Sequence, residues 1–297
     1  MIRTVALLIA LSALIDSSPS ILPAQEYEIR LSREAKVAER YRLSATGSHA
    51  EIMTISVGGK AVGQKGNEFS INLVSLMTVI EIDTRGRPTK YSLDIEKCLI
   101  TTAGSSKPLI APGETLLVSL EGNRYIFTVK NIPVDSSTVD PLSVVVPSHA
   151  SEPSDDDVFG TRERKKVGES WPINGDLAAE SLKSALKVAT MKGDVRGSAK
   201  LDGVVRDREN EYLIVSALLG VNNFSMPLPN GVQIQTGQVI GSFSGRFPVN
   251  QSFQPIAQSV KVTARFTGTR AADERTAETT FEGMMARSVE REMERVK

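Results

Sequence analysis

Apolar and polar side chains alternate along most of the chain with a period of two residues. In DVRGSAKLDGVVR, residues 194–206, valine, alanine and leucine fall on one side and arginine, serine and lysine on the other. VKVTARFTG, residues 260–268, repeats this alternation. Because successive side chains of a β-strand point to opposite faces, the pattern predicts half-buried antiparallel strands.

Further strands are predicted in both halves of the chain. They lie near ERYRLSAT, EIMTISV, TKYSLDIEKCLI, TLLVSLE, RYIFTVK, LSVVVP, EYLIVSALLG and QVIGSFSGRF. NEFSINLVSLMTVIEID also fits a helical stripe, but its β-branched residues and the turn at Asp83 favour a long strand. The predicted fold is mainly β, in the α+β class. We expect curved antiparallel sheets in two lobes and one helix that follows the VGESW stretch.

The predicted helix lies in NGDLAAESLKSALKVAT, residues 174–190, which is rich in helix-forming residues and carries alanine and leucine on one face. Asn174 or Asp176 can cap its start. Lys192 and Gly193 are predicted to close it, because glycine is common just beyond a helix end.

The C-terminus fits two structures. Phe281, Met285, Val289 and Met293 recur every four residues, as they do in a helix, while the threonine-rich start favours a strand that pairs across 271–274. We expect a strand to about Met285, followed by a short charged helix that ends at Lys297.

The N-terminus carries the pattern of a secretory signal peptide. Arg3 precedes an apolar run at residues 5–15, and the small residue Ala24 follows at the expected cleavage region. The run is shorter than the roughly 20 residues of a membrane-spanning helix. We therefore expect an exported, periplasmic or extracellular chain with no transmembrane span after cleavage. An uncleaved anchor is the alternative, because Leu22 departs from the small-residue rule.

Four segments follow from these patterns: a signal peptide at 1–25, an N-terminal antiparallel β lobe at 26–150, a charged linker or excursion at 151–166, and a C-terminal lobe at 167–297. The C-terminal lobe would contain the helix, a sheet and a charged tail. The linker is predicted because SHASEPSDDDVFGTRERKK, residues 148–166, has no apolar period.

Charge and cysteine content exclude several classes of protein. The 35 basic and 35 acidic side chains balance, so no net charge attracts nucleic acid, and no nucleic-acid partner is expected. Cys98 is the only cysteine, so no intramolecular disulfide can form. Stability must therefore come from packing.

The single tryptophan lies in RERKKVGESWPI. Pro172 stops the approach strand and biases Trp171 toward extended geometry before the chain turns into the helix. Gly168 permits a bulge or a close approach. We expect the indole to pack between sheet and helix. An exposed indole that stacks on a sugar or lipid is the alternative.

VGESWPI, the alanine-rich segment after it, GSAKLDGVV and the upstream VIEIDTRGRPTKYSLDI resemble exported bacterial proteins of unknown function with a lipoprotein-like curved sheet. The resemblance implies a two-part β protein with VGESW near the junction, and it supplies no catalytic residues. The layout is also distantly similar to the curved sheets of lipoprotein-localisation carriers, an analogy of fold alone.

Patterns for catalysis and metal binding are incomplete. Ser184 and Lys187 match S-x-x-K without its companion motifs, GSFSG has Phe243 where a nucleophile belongs, and GGKAVGQKG lacks the lysine of a phosphate loop. Three consecutive aspartates at 155–157 do not match a calcium loop. His49 and His149 with one cysteine form no recognisable zinc set. No catalytic residue, metal or cofactor is predicted.

Three function classes remain open. A non-catalytic envelope protein can bind a lipid or other apolar ligand, and Trp171, Phe243, Phe247 and Phe266 are its expected ligand-binding residues. A structural or protein-interaction module of the envelope predicts a filled interior and an exposed apolar patch. A hydrolase needs a base beside a serine, and the sequence offers no such pair. We favour ligand binding, with an apolar ligand or an envelope protein as partner.

Overall fold

A computed structural model of the protein describes residues 25–32, 34–122, 124–146, 153–191, 193–207, 210–226, 228, 232–250, 257–270 and 279–296. The expected signal peptide therefore lies outside the described residues, apart from its last position. His149, Lys192 and the expected turn at 271–274 also lie outside them.

The described residues form fifteen strands and three helices. The strands are β1 (Glu26–Tyr27), β2 (Arg40–Val57), β3 (Lys60–Ile82), β4 (Pro88–Thr102), β5 (Ser105–Pro108), β6 (Thr115–Glu121), β7 (Arg124–Val129), β8 (Ile132–Pro133), β9 (Lys165–Lys166), β10 (Ser170–Pro172), β11 (Val195–Asp207), β12 (Asn210–Asn222), β13 (Gln233–Pro248), β14 (Ala257–Arg270) and β15 (Thr279–Arg295). The helices are α1 (Ser136–Val145), α2 (Asp155–Phe159) and α3 (Gly175–Leu186).

Thirteen of these strands form one open antiparallel sheet. Its order is β10-β11-β12-β13-β14-β15-β2-β3-β4-β6-β7-β8, with β5 paired to β4. β1 and β9 form a separate two-stranded sheet. The prediction of a mainly β, antiparallel protein is confirmed, and the ambiguous segment NEFSINLVSLMTVIEID lies within the long strand β3.

The last strand joins the two halves of the chain. β15 pairs with β14 on one side and with β2 on the other, and its ladder with β2 runs from Thr279–Val57 to Arg295–Tyr41. The side chains of Ser48 and Ser288, 240 residues apart in sequence, are hydrogen-bonded across this ladder at 2.8 Å. The N-terminal and C-terminal strands therefore belong to one continuous sheet.

The expected C-terminal helix is wrong, because β15 continues to Arg295. Side chains of a strand return to the same face every two residues, so a spacing of four residues also places Phe281, Met285, Val289 and Met293 on one face. The intervening positions on that face hold Gly283 and two arginines, and these hid the strand alternation.

Two hydrophobic clusters form on the face of the sheet that carries the odd-numbered residues of β2 and β15, here called the inner face. The first cluster includes Trp171, Phe224, Phe243, Phe247, Phe266 and Phe281, with Leu182 and Leu186 of α3. The second cluster includes Leu43, Leu73, Tyr91, Leu93, Leu116 and Leu142. β2 and β15 contribute residues to both clusters.

α1 replaces the strand that LSVVVP predicted, and the expectation of a single helix is wrong. Asp135 caps the helix by accepting a hydrogen bond from the Thr138 amide at 3.0 Å. The apolar side chains Leu142, Val144 and Val145 are buried. The valine-rich sequence favours a strand intrinsically, but burial of this face decides the structure.

α2 lies within the segment predicted as a charged linker. Its start is a capping box, in which the Ser154 hydroxyl accepts from the Asp157 amide while the Asp157 carboxylate accepts from the Ser154 amide. Val158 is buried in the first cluster. The three aspartates are therefore the first turn of a helix, where negative charge is favourable.

α3 is the helix that the sequence predicts. The Asn174 side chain caps it by accepting from the Leu177 amide at 3.2 Å, as expected for one of the two proposed caps. The helix ends earlier than predicted, because Lys187 adopts a left-handed conformation with a φ of 58°. None of the described helices is long and apolar enough to cross a membrane.

Two arginines of β15 hold the C-terminal end of α1. Arg291 donates from Nε to the Val145 carbonyl at 3.1 Å and from Nη2 to the Val144 carbonyl, and Arg287 donates to the Ser143 carbonyl. These carbonyls are among the last four of the helix, which have no partner within it. The positive charges also oppose the negative end of the helix dipole.

We expect Arg291→Ala to lower the free energy of unfolding by about 1.5–3 kcal/mol, because it removes hydrogen bonds from a charged group to buried helix carbonyls. Urea titration followed by circular dichroism measures the change. Arg295→Ala, at the exposed end of the same strand, is the control and should change stability by less than about 0.5 kcal/mol. Equal effects of the two substitutions would contradict this role of Arg291.

Candidate functional site

Trp171 is buried at the junction of the sheet and the helices. It pairs with Ala199 of β11, and only 4% of its surface is exposed. Its indole Nε1 donates a hydrogen bond to the Phe159 carbonyl at the end of α2, at 2.8 Å. Gly168 precedes it with a φ of 92°, in the left-handed region that favours glycine. The indole thus ties β10 to α2 as well as packing in the first cluster.

The three phenylalanines predicted to contact a ligand are buried in the same cluster. Phe243 stacks on Phe159 of α2 with ring centroids 4.6 Å apart, and its ring lies 5.8 Å from that of Phe247. Phe266 makes an edge-to-face contact with Phe224 at 6.4 Å. Sequence periodicity correctly places these side chains on the inner face, where other side chains of the chain pack against them.

We expect Trp171→Phe to destabilise the protein by about 1–3 kcal/mol, because the Phe159 carbonyl then loses its buried donor. The midpoint of urea unfolding should fall without a change in the slope of the transition. Val167→Ala is a nearby control, since Val167 is half exposed. A Trp171→Phe variant as stable as this control would show that the hydrogen bond contributes nothing.

The residues considered for catalysis do not come together. Cys98 is fully buried, and burial raises the pKa of its thiol to about 11, so it carries little thiolate at neutral pH. His49 packs on the Phe69 ring at 5.3 Å, and burial, with a contribution from Arg287, lowers its pKa. Ser184 lies within α3, whereas Lys187 lies just past its end with a left-handed backbone.

Within the described residues, no group of three histidine, cysteine, aspartate or glutamate side chains is arranged to hold a metal ion.

A cleft of about 1280 Å³ lies on the inner face at the ends of several long strands. The buried side chains of Tyr41, Met77 and Val79 lie beneath it, and its partly exposed apolar surface comes from Tyr27, Val249 and Met293. Gln258 of β14 and residues 249–250 after β13 complete the side toward the first cluster. The sequence did not reveal this cleft, because its walls come from strands that are far apart along the chain.

Residues 25–32 and 34–36, here called the strap, border the cleft and cross from one cluster to the other. Ile29 and Leu31 are buried in the first cluster, and Ala35 is buried in the second. The Ala35 amide donates to the Gly86 carbonyl in the turn between β3 and β4, at 2.8 Å. The alternation of Ile29 and Leu31 with polar residues is the sequence signal for the strap, but so short an apolar segment does not by itself predict a buried element.

Asp156 of α2 attaches the strap from the other side. Its Oδ1 accepts a hydrogen bond from the Leu31 amide at 2.6 Å, and its Oδ2 lies 3.7 Å from Nη1 of Arg30. Burial raises the pKa of the Asp156 carboxyl and outweighs the lowering effects of the Leu31 amide and Arg30. The capping pattern S-x-x-D at 154–157 was the sequence signal for this helix.

The stability of an Asp156→Asn variant should rise relative to wild type as the pH increases from 3.5 to 7. Because the folded protein raises the pKa of Asp156, the stability contributed by the protonated carboxyl is lost as the pH rises through that pKa. Asparagine keeps an acceptor oxygen for the Leu31 amide and does not titrate. Urea unfolding at both pH values measures the difference.

Asp157→Asn provides a control of opposite sign. Hydrogen bonds from Ser154 lower the pKa of Asp157, so its contribution is present above the unfolded pKa and lost as the pH falls. This variant should lose stability relative to wild type as the pH rises. A pH dependence of the same sign in both variants would contradict the environments described for these carboxyls.

Comparison with known proteins assigns no family. No family model matches the chain, and no curated protein matches it. Among solved structures, the chain is similar to the outer membrane protease OmpT of Escherichia coli, with 12% sequence identity over 86% of this chain and 97% of that one. The TM-score is 0.14, which carries no argument for fold or function.

Proposed function

We propose that the protein is a non-catalytic binding protein of the cell envelope whose ligand is lipid-like, with an apolar part and a charged or polar part. The observation that carries this proposal is the cleft on the inner face, which combines several partly exposed apolar side chains with a rim of charged ones. Its volume is larger than the roughly 300–1,000 Å³ of most small-molecule sites.

The walls and the rim of the cleft suit different parts of one molecule. Tyr27, Val249 and Met293 present partly exposed apolar surface, while Arg30, Asp156 and other charged groups come from the strap, α2 and the turn between β3 and β4. An acyl chain against these partly exposed side chains gains from removal of apolar area from water. A polar head group can remain at the rim in contact with solvent and charge.

Trp171, Phe243, Phe247 and Phe266 take a different part in this proposal from the one their sequence pattern suggested. Trp171 and Phe243 contact Phe159 of α2 and so help to position Asp155, Asp156 and Asp157 at the cleft, while Phe247 and Phe266 pack in the same cluster. We therefore propose them as residues that support the site, with ligand contact made by the cleft walls.

We propose in addition that the protein is exported and that its sheet is curved and organised in two lobes. We also propose that it belongs to the exported bacterial proteins that the VGESWPI stretch resembles. The two hydrophobic clusters support two lobes, because each cluster has its own covering helix, α3 or α1. An envelope location would place the protein where lipid-like molecules are abundant.

A protein-interaction module is the second candidate, favoured by an apolar pair on the other face of the sheet. Leu218 of β12 and Ile240 of β13 are 63% and 51% exposed and lie diagonally opposite on neighbouring strands. Exposed apolar pairs of this kind are often contact sites when they extend into larger patches. This candidate predicts that Leu218→Ser weakens binding of a partner protein to this face of the sheet and leaves the content of extractable ligand unchanged.

Lipid extraction and mass spectrometry of the purified full chain test the main proposal. Wild-type protein should carry extractable lipid-like material, and Met293→Trp should carry several-fold less, because the larger side chain narrows the cleft. Val62→Trp is the control, since Val62 is exposed on β3 away from the cleft.

Circular dichroism establishes that each tryptophan variant is folded. Protein without extractable material that also fails to take up added decanoate would overturn the binding proposal. Equal ligand content in the wild-type and Met293→Trp proteins would overturn the assignment of the cleft as its site.

A further inference from the structure

All of the carboxylates that line the cleft are already engaged within the described structure. Glu28 accepts from Arg30 at 2.8 Å, Asp155 accepts from Gln258 at 2.5 Å, and Asp157 accepts from Ser154. The full set is Glu26, Glu28, Glu34, Asp155, Asp156 and Asp157. Negative charge in the cleft is therefore largely committed to holding the strap and α2 in place.

Two cations of the cleft differ from the other charged groups. The side chains of Lys36 and Arg85 line it and make no hydrogen bond or close ion pair with any residue that the structure describes. Arg85 acts on Asp157 at longer range and lowers its pKa. By contrast, Arg87 is paired with Asp83 at 2.9 Å, and Arg164 donates to the Glu26 carbonyl at 2.7 Å.

The main chain brings Lys36 and Arg85 to the same end of the cleft. The hydrogen bond from the Ala35 amide to the Gly86 carbonyl joins the residue before Lys36 to the residue after Arg85. Both backbones are also fixed locally. The Lys36 amide donates to Oε2 of Glu39 at 2.9 Å, and the Arg85 amide donates to Oδ1 of Asp83 at 2.8 Å. The side chains of Lys36 and Arg85, which have no close partner among the described residues, thus extend from a backbone held by hydrogen bonds.

We infer that the cleft takes an anionic amphiphile, with its carboxylate or phosphate head group bound by Lys36 and Arg85 and its apolar chain against the partly exposed side chains of Tyr27, Val249 and Met293. This inference rests on the proposed function and specifies its ligand class. Arginine supplies a planar set of donors that suits both kinds of oxyanion, and lysine adds a compact positive charge.

Isothermal titration calorimetry of the full chain tests the head-group preference. The probes are decanoate, decyltrimethylammonium and decyl maltoside, each below the concentration at which it forms micelles, together with inorganic phosphate. Decanoate should bind most tightly. The Lys36→Ala/Arg85→Ala double variant should bind decanoate about tenfold more weakly. This change corresponds to a loss of about 1.4 kcal/mol of binding free energy, as expected for two partly solvated charges.

A matched control removes two positive charges elsewhere. Lys107→Ala/Arg124→Ala changes exposed residues of β5 and β7 that do not line the cleft, and should leave decanoate affinity unchanged. The reversed pair Lys36→Glu/Arg85→Glu should bind decyltrimethylammonium more tightly than decanoate. Thermal unfolding of each variant verifies that it is folded.

The outcomes separate this inference from the proposal on which it rests. Failure of all three decyl compounds to bind overturns the proposed function. Binding of decyl maltoside or decyltrimethylammonium to wild type as tightly as decanoate overturns the anionic preference alone, and so does an unchanged affinity in the Lys36→Ala/Arg85→Ala variant. Phosphate binding as tight as decanoate binding identifies a plain anion site and overturns the amphiphile.

Discussion

The ladder between β15 and β2 is the interaction on which the rest of the structure depends. Its seventeen residue pairs join strands from the two ends of the chain and convert two sets of strands into one sheet. Both hydrophobic clusters use residues from these two strands. Because a shift of one residue would move every side chain to the opposite face, this register fixes both clusters and the cleft together.

The inner face of β15 also carries charge, which would be costly without partners. Arg287 and Arg291 point to the side on which the clusters form, and the carbonyls at the end of α1 accept their hydrogen bonds. The same contacts stabilise the helix end and place α1 over the second cluster. On the other side, Asp156 and the strap connect α2 to the sheet, so the cleft is bounded by polar contacts rather than by a closed apolar core.

The sequence predicts those features that depend on local alternation and local caps. Most strands, the cap at Asn174 and the buried position of Trp171 follow from periods of two or 3.6 residues and from the residues around them. Prediction from the sequence failed where contacts with distant parts of the chain determine the secondary structure. Burial of Val144 and Val145 and capping by arginines of β15 select a helix for a valine-rich segment, while pairing with β2 keeps the end of β15 extended.

The cleft was beyond prediction for the same reason, because its lining comes from segments that meet only after the sheet is assembled. The distance along the chain between β2 and β15 also has a consequence for biosynthesis. During translation one side of β2 has no strand to join until β15 is made, after every other described strand of the sheet. The nascent protein must therefore keep this open edge from joining neighbouring molecules until its distant partner strand is available.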